Sequence, residues 1–402
     1  MSRGALLALA ACAVAVSCHG RLSSERYLAG EEVVVRDFER KVQIHGTALM
    51  PAGRGGLLSI WSDDEGVWTM MVTREGYPLR DAVRVSRHGS ALISAVHLGK
   101  ACVADGMGFA LAIVPRVTVT QGNAPLEVML LGLDGRRMQT VVLDAKVGPY
   151  SKRVSVVGDC SGVLVGWHQG SIGDFSSRLA FIDVPAGKVR WETRLSDEGV
   201  NGFCPGLSMN DGRIVAAWGE VRTAFAHPDE KPRPDAIMSA VLDPEGGLLS
   251  GPRRVLETFH TSSTPVLASN GNRIAMLFKD EPPDEYKEGV YLAFLDPEGG
   301  LVGEPARIGR GDGPDPPILL TLPGDHMLTA VVRSLAFELL VGVNSLDARG
   351  EKTSGELQIY AHQVRFRHLS AFEWDGKISL LHVEQGRTRT RLLLTTLHAS
   401  SR

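Results

Sequence analysis

The chain of 402 residues lacks most of the features that would place it in a broad function class. It has no run of Lys and Arg. Its 43 basic and 46 acidic residues are interspersed, for a formal net charge of −3. That balance leaves no electrostatic footprint for nucleic acid or for an anionic membrane surface. The unbroken apolar run at the start, Ala5–Val16, has 12 residues, short of the ~20 a membrane-spanning helix needs. The twelve histidines are scattered, and neither His-Glu-x-x-His nor Cys-x-x-Cys occurs, so the spacing indicates no metal and no cofactor. Gly309-Arg-Gly-Asp-Gly313 is glycine-rich but leads into Pro314. Phosphate cradling uses the N-terminus of a following helix, which this stretch lacks. No Gly-x-Ser-x-Gly elbow supports a hydrolase nucleophile. Long amphipathic helical patterns are missing too.

What is present is a repeat. Leu242-Asp-Pro-Glu-Gly-Gly-Leu-Leu-Ser-Gly-Pro-Arg-Arg-Val255 is nearly copied at Leu295-Asp-Pro-Glu-Gly-Gly-Leu-Val-Gly-Glu-Pro-Ala-Arg-Ile308. Ahead of each copy runs a short strand, a tight turn on Asp211-Gly212 or Asn270-Gly271, and a second apolar strand. Asp-Gly and Asn-Gly favour two-residue hairpins because both residues tolerate positive φ. A variable loop, a third strand ending at Asp243 or Asp296, the Pro-Glu-Gly-Gly turn and a fourth strand complete the unit. Weaker openings of the same kind recur at about 42–61, 99–114, 153–167, 317–332 and 368–383, which with 204–218 and 265–278 makes seven. Four-stranded units repeated at this period predict an all-β, seven-bladed β-propeller of antiparallel blades. Six or eight blades, or a pair of β-sandwiches, are the alternatives. The last opening is followed by a single strand, 388–397, while Glu32–Phe38 is an orphan strand near the start. Pairing the two would complete the last blade and remove an exposed sheet edge.

The first residues form a separate segment. One positive charge, a short apolar stretch and small residues make an export signal. It ends Ala15-Val16-Ser17-Cys18, which resembles the lipobox of bacterial lipoproteins, with Ala15 where that family prefers Leu. Leu9-Ala10-Ala11-Cys12 fits the box better, but too few apolar residues precede it for a signal core. The resemblance implies a signal peptide over 1–17 and lipidation of Cys18; the polar residues that follow read as a tether over 18–30, and the repeat sets the propeller domain at 31–402. The lipobox resemblance also implies a membrane attachment through lipid alone, and His19, rather than Asp, after the cysteine implies an outer-membrane lipoprotein of the cell envelope. Cys102, Cys160 and Cys204 remain; the first and last fall in inner strands, and buried thiols are the expectation for them.

Three features bear on function. Trp61, Trp167, Trp218 and Phe278 occupy one equivalent position, the end of a unit's second strand, and are expected to be packing anchors between blades. The acidic stretches Asp63-Asp64-Glu65 and Asp280-Glu281 to Asp284-Glu285 follow second strands, without the glycine offsets of calcium loops, and are expected to be solvated. The long Pro-rich insertion 221–235 in the fourth unit and its counterpart 283–288 in the fifth leave adjacent blades at equivalent points. Binding tends to reside on such loops, so Arg222, His227, Asp229, Glu230, Arg233, Asp284 and Tyr286 are the candidate binding residues. The repeat, with its Asp/Asn-Gly hairpin and Leu-Asp-Pro-Glu-Gly-Gly turn, resembles the diverse propeller repeats of bacterial envelope and secreted lipoproteins. An anchored, closed scaffold with no catalytic constellation is read as a non-enzymatic lipoprotein binding a protein or glycan partner. The alternatives are a glycan-active hydrolase or lyase with acids at the central channel, and a structural subunit of an envelope assembly. A carboxylate cluster at the channel mouth would favour the enzyme.

Overall fold

The computed structural model describes residues 27–399, apart from 99–106, 116–123, 148–152, 222–234, 259–264, 281–288, 311–316 and shorter breaks of one to three residues. Strand β1 (Tyr27–Asp37) comes first. Blade 1 follows as β2 (Gly46–Ala52), β3 (Gly56–Asp63), β4 (Gly66–Thr73) and β5 (Val83–Ser86). Blade 2 comprises β6 (Leu92–His97), β7 (Met107–Val114), β8 (Ala124–Gly132) and β9 (Arg137–Val147). Blade 3 comprises β10 (Val154–Gly158), β11 (Gly162–Ser171), β12 (Asp174–Asp183) and β13 (Lys188–Arg194). In blade 4, β14 (Asn201–Gly202) and β15 (Gly206–Asn210) both pair with β16 (Arg213–Val221), followed by β17 (Asp235–Leu242) and β18 (Leu248–Thr258). Blade 5 is β19 (Val266–Asn270), β20 (Arg273–Asp280), β21 (Gly289–Leu295) and β22 (Leu301–Arg310). Blade 6 is β23 (Ile318–Thr321), β24 (Met327–Leu335), β25 (Glu338–Leu346) and β26 (Leu357–Ala361). Blade 7 holds β27 (Arg365–Trp374), β28 (Lys377–Gln385) and β29 (Thr390–Ala399), with β1 as its fourth strand.

The first strands contact one another in sequence from β2 to β27, and β27 returns to β2, so the seven sheets close a ring. This is the expected seven-bladed β-propeller. β1 runs antiparallel to β29, with Val33 opposite Leu394 and Val34 opposite Leu393. It begins at Tyr27, so its pairing reaches into the segment assigned to the tether. The blade 2 opening is a second difference: its inner strand is Leu92–His97, earlier than the expected 99–114. The apolar stretch Leu92–Val96 supplies that strand, with Leu92 and Val96 packed towards blade 3 and Ile93 and Ala95 towards blade 1, and the connection to β7 is longer than a two-residue hairpin.

The core is divided among the seams. Seven clusters of buried side chains each span two neighbouring blades, such as Leu164, Phe181, Ala216 and Trp218 between blades 3 and 4. The repeated turn explains how the seams are fixed. Asp243 Oδ1 accepts from the N–H groups of Glu245 and Gly247, at 2.9 and 2.8 Å, and shapes the turn. Gly246 then takes φ +86° and Gly299 of the next blade φ +80°, a left-handed conformation that glycine adopts without a Cβ clash. Each turn docks on the preceding blade. Trp191 Nε1 of blade 3 donates to Pro244 O of blade 4 at 3.0 Å, and Ser239 Oγ of blade 4 donates to Gly299 O of blade 5 at 2.6 Å. Thr69 of blade 1 and Gln139 of blade 2 make the same bond to Gly135 and Gly187. The near-copied sequence is therefore an interblade clasp.

Candidate functional site

The expected packing anchors are buried: Trp61, Trp167, Trp218 and Phe278 are at most 2% exposed. Each faces the preceding blade. Two positions further on, at the end of the second strand, stand Asp63, Gln169, Glu220 and Asp280. Trp218 Nε1 donates to Glu220 Oε1 at 3.1 Å, and Trp167 Nε1 to Gln169 Oε1 at 3.4 Å. Asp63, Glu220 and Asp280 are buried. This corrects the expectation of solvation for the first acid of each stretch, Asp63 and Asp280, which are both buried; Asp63 caps an indole and a turn inside its blade. The recurrence of aromatic-x-acid was legible in the sequence as a signal and was missed because the acids were grouped with the loops.

Blade 1 departs from this pattern. Asp63 Oδ1 accepts from Trp68 Nε1 at 3.1 Å and from the N–H groups of Glu65 and Gly66 at 2.8 and 3.0 Å. Its carboxylate is thereby turned to the β3–β4 hairpin, and Trp61 Nε1 has no acceptor among the described residues. Trp61 stacks on Trp68 at 6.4 Å between ring centroids and receives the edge of Phe38 at 6.2 Å. Arg84 lies over the Trp68 ring. A cleft of about 850 Å³ opens here between blades 7 and 1, walled by Arg36, Asp37, Phe38, Arg40, Trp61 and Trp68 among others. A second cleft of about 450 Å³ shares Arg36 and Asp81 with the first and adds Arg80. The segment crossing between the two blades is pinned on buried Thr390, whose Oγ1 donates to Val42 O at 2.8 Å and accepts from Val42 N at 3.1 Å.

Next to this seam, His45 Nε2 lies 2.8 Å from Asp64 Oδ1, and Ser90 Oγ donates to the same oxygen at 3.0 Å. The His45 hydrogen bond holds the Asp64 carboxyl below its ordinary value. In blade 7, His382 replaces the aromatic anchor. It is buried against blade 6, with Nε2 3.0 Å from Thr395 Oγ1 and 3.5 Å from the Glu32 carboxylate. Burial pushes its imidazole down to about 4. Glu32 is raised, first by burial and then by the Glu384 carboxylate, with Arg391 acting against both. Glu384 is itself paired with Arg391.

The candidate binding residues Arg222, His227, Asp229, Glu230, Arg233, Asp284 and Tyr286 lie outside the described residues, as does Cys18. Their anchor points are described: one insertion joins Val221 to Asp235 and the other joins Asp280 to Gly289, at the same edge of adjacent blades 4 and 5. Cys204 sits between β14 and β15, just ahead of the inner strand where it was expected. Its buried thiol donates to Gly166 O at 3.4 Å; Cys102 and Cys160 are outside the described residues.

No protein-family model matches the chain, and no curated protein matches it. Solved structures do. The polysaccharide lyase Uly1 is 12% identical, with a TM-score of 0.57 over 92% of this chain and 100% of that one. An ulvan lyase of polysaccharide lyase family PL25, bound to -[GlcA(1-4)Rha3S]-, is 9% identical with a TM-score of 0.54, over 90% of this chain and 95% of that one. An α-L-arabinanase of Penicillium chrysogenum complexed with arabinobiose is 10% identical with a TM-score of 0.48, over 91% and 98%. At these identities the likeness to the two lyases bears on the propeller fold alone.

Proposed function

We propose that this chain is an envelope lipoprotein, anchored through Cys18, whose propeller binds a glycan without transforming it. The observation that supports the non-enzymatic part is the engagement of the acids. Asp63 closes a hairpin and takes the Trp68 indole, Glu220 takes the Trp218 indole, and Asp64 is held by His45 and Ser90. Glycoside hydrolysis needs two carboxyls facing each other across the bond, about 5–10 Å apart, and acids fixed in this way are turned to their own blades. The fold's likeness to two polysaccharide lyases favours a glycan over a protein partner.

The experiment incubates protein lacking residues 1–17 with a panel of polysaccharides and follows both retention on the polymer and polymer length. Retention with unchanged length is the expected result; depolymerisation would overturn the reading. A Cys18→Ala variant should leave the membrane fraction. The second reading is a glycan-active enzyme. The pair that favours it is Glu32 and Glu384 in blade 7, where one carboxyl is raised beside the other. Under that reading Glu32→Gln would abolish depolymerisation.

A further inference from the structure

The seam between blades 7 and 1 differs from those ahead of blades 3 and 4 in how its anchor indole is met. In blades 3 and 4 the anchor indole N–H meets the side chain two residues on. In blade 1 that side chain, Asp63, is drawn to Trp68 and the turn. Trp61 is 1% exposed, it lines the larger cleft, and its N–H has no acceptor among the described residues. Arg80 Nε, whose residue lines the smaller cleft, is likewise buried without an acceptor there. A buried donor without an acceptor costs about 1–3 kcal/mol, so both atoms call for an oxygen supplied by something else.

The charge of the walls narrows what can supply it. Five carboxylates (Asp37, Glu39, Asp63, Glu65 and Asp81) stand against the three guanidiniums of Arg36, Arg40 and Arg80. Arg40 is paired with Glu65, and Arg80 lies 3.6 Å from Asp134. Asp37 in turn lies 3.5 Å from Arg389, and Arg84 covers Trp68, so an anionic polymer would meet no surplus of positive charge. A polyhydroxylated neutral chain would accept from the two N–H donors and donate its hydroxyls to Asp37 and Asp81. The clefts share Arg36 and Asp81, so one extended ligand can run through both, and each volume suits a small ligand, for which clefts run ~300–1,000 Å³.

We infer that the seam between blades 7 and 1 is a binding site for a neutral oligosaccharide, one of whose oxygens accepts from Trp61 Nε1. This rests on the glycan-binding reading and places it at the side of the ring, on the junction where β1 closes the last blade. The ligand would bridge β1 and blade 1, and its binding would favour the closed ring.

The test is titration calorimetry of wild-type protein, Trp61→Phe and Asp81→Ala with neutral hexasaccharides of glucose, mannose and arabinose, and with oligogalacturonate. The expected result is binding of at least one neutral hexasaccharide by the wild type. Each variant should weaken it about 5–10-fold with a melting temperature changed little, the loss of one hydrogen bond in a site. Equal neutral binding by wild type and both variants overturns the seam assignment and leaves glycan binding standing. Tighter binding of oligogalacturonate than of every neutral probe overturns the neutral class. No binding of any probe by the wild type overturns both this site and the reading beneath it.

Discussion

Blades 4 and 1 use the same two residues for different ends. Each has a buried Trp at the end of its second strand and an acid two positions later. In blade 4 the pair is self-contained: Glu220 takes the Trp218 indole, and the seam to blade 3 is packed. In blade 1 a second indole, Trp68, competes for the acid and holds it, so the Trp61 N–H is left to line a cleft. Blades 3 and 4 hold such a donor–acceptor pair, and in blade 1 one added aromatic residue takes the acceptor and leaves an unmet hydrogen bond beside a cleft.

The largest expected effect is on the packing side. Trp218→Ala should cost about 3–5 kcal/mol, as for other core aromatics, read as a fall in the denaturation midpoint. If Trp218→Ala instead abolished ligand binding with unchanged melting, blade 4 would be the binding blade and the comparison would reverse.

Blade 7 offers a third version of the anchor, and pH separates it from the other two. His382 titrates near 4 in the fold and near 6.5 when unfolded. The unfolded chain therefore binds the extra proton between those values, so stability attributable to His382 is complete above about pH 6.5 and is lost as pH falls towards 4. The full span is about 3 kcal/mol. Glu32, raised by burial, works in the opposite direction, since its contribution weakens as pH rises through its range. Thermal melts from pH 7 to pH 4.5 should show a steeper loss in the wild type than in His382→Phe, the aromatic found at this position in blade 5. A loss of the same slope in both would remove His382 from the account.

The clasp gives the smallest effect. Gly299 has φ +80°, and a Cβ there would lie 3.1 Å from Ser239 and Val241 of blade 4. Gly299→Ala should cost about 1–2 kcal/mol, from backbone strain and the shift it forces. Gly303, also at positive φ, has open space where its Cβ would go, so Gly303→Ala should show the backbone cost alone. Equal losses at the two sites would mean that the turn does not press on its neighbour.

Much of the fold was legible in the sequence because turn chemistry is local. The Asp-Pro-Glu-Gly-Gly copies fix where strands end, and the period fixes how many sheets there are. The pairing of 32–38 with 388–397 followed from counting strands. Blade 2 was misplaced because the connection between its first two strands, Leu92–His97 and Met107–Val114, is longer than a two-residue hairpin. The buried state of Asp63 was not legible in the same way: an acid after an apolar strand looks solvated unless the indole that needs it, Trp68, is noticed. The seam between blades 7 and 1 was out of reach, because it joins β1 to residues such as Trp61 and Asp81 through ring closure, and no sequence spacing encodes that proximity.

The most direct measurement sets Trp61→Phe beside Trp218→Phe, in melting and in oligosaccharide affinity. Removing the Trp218 N–H leaves a buried carboxylate short of a donor and should cost about 2–3 kcal/mol of stability with affinity unchanged. Removing the Trp61 N–H, which serves no acceptor within the protein's described residues, relieves an unmet donor worth about 1–3 kcal/mol against about 1 kcal/mol lost with the smaller ring, so stability should hold or rise slightly while the ligand is weakened. If the two variants lose stability alike and bind alike, the distinction between packing pair and ligand wall is contradicted.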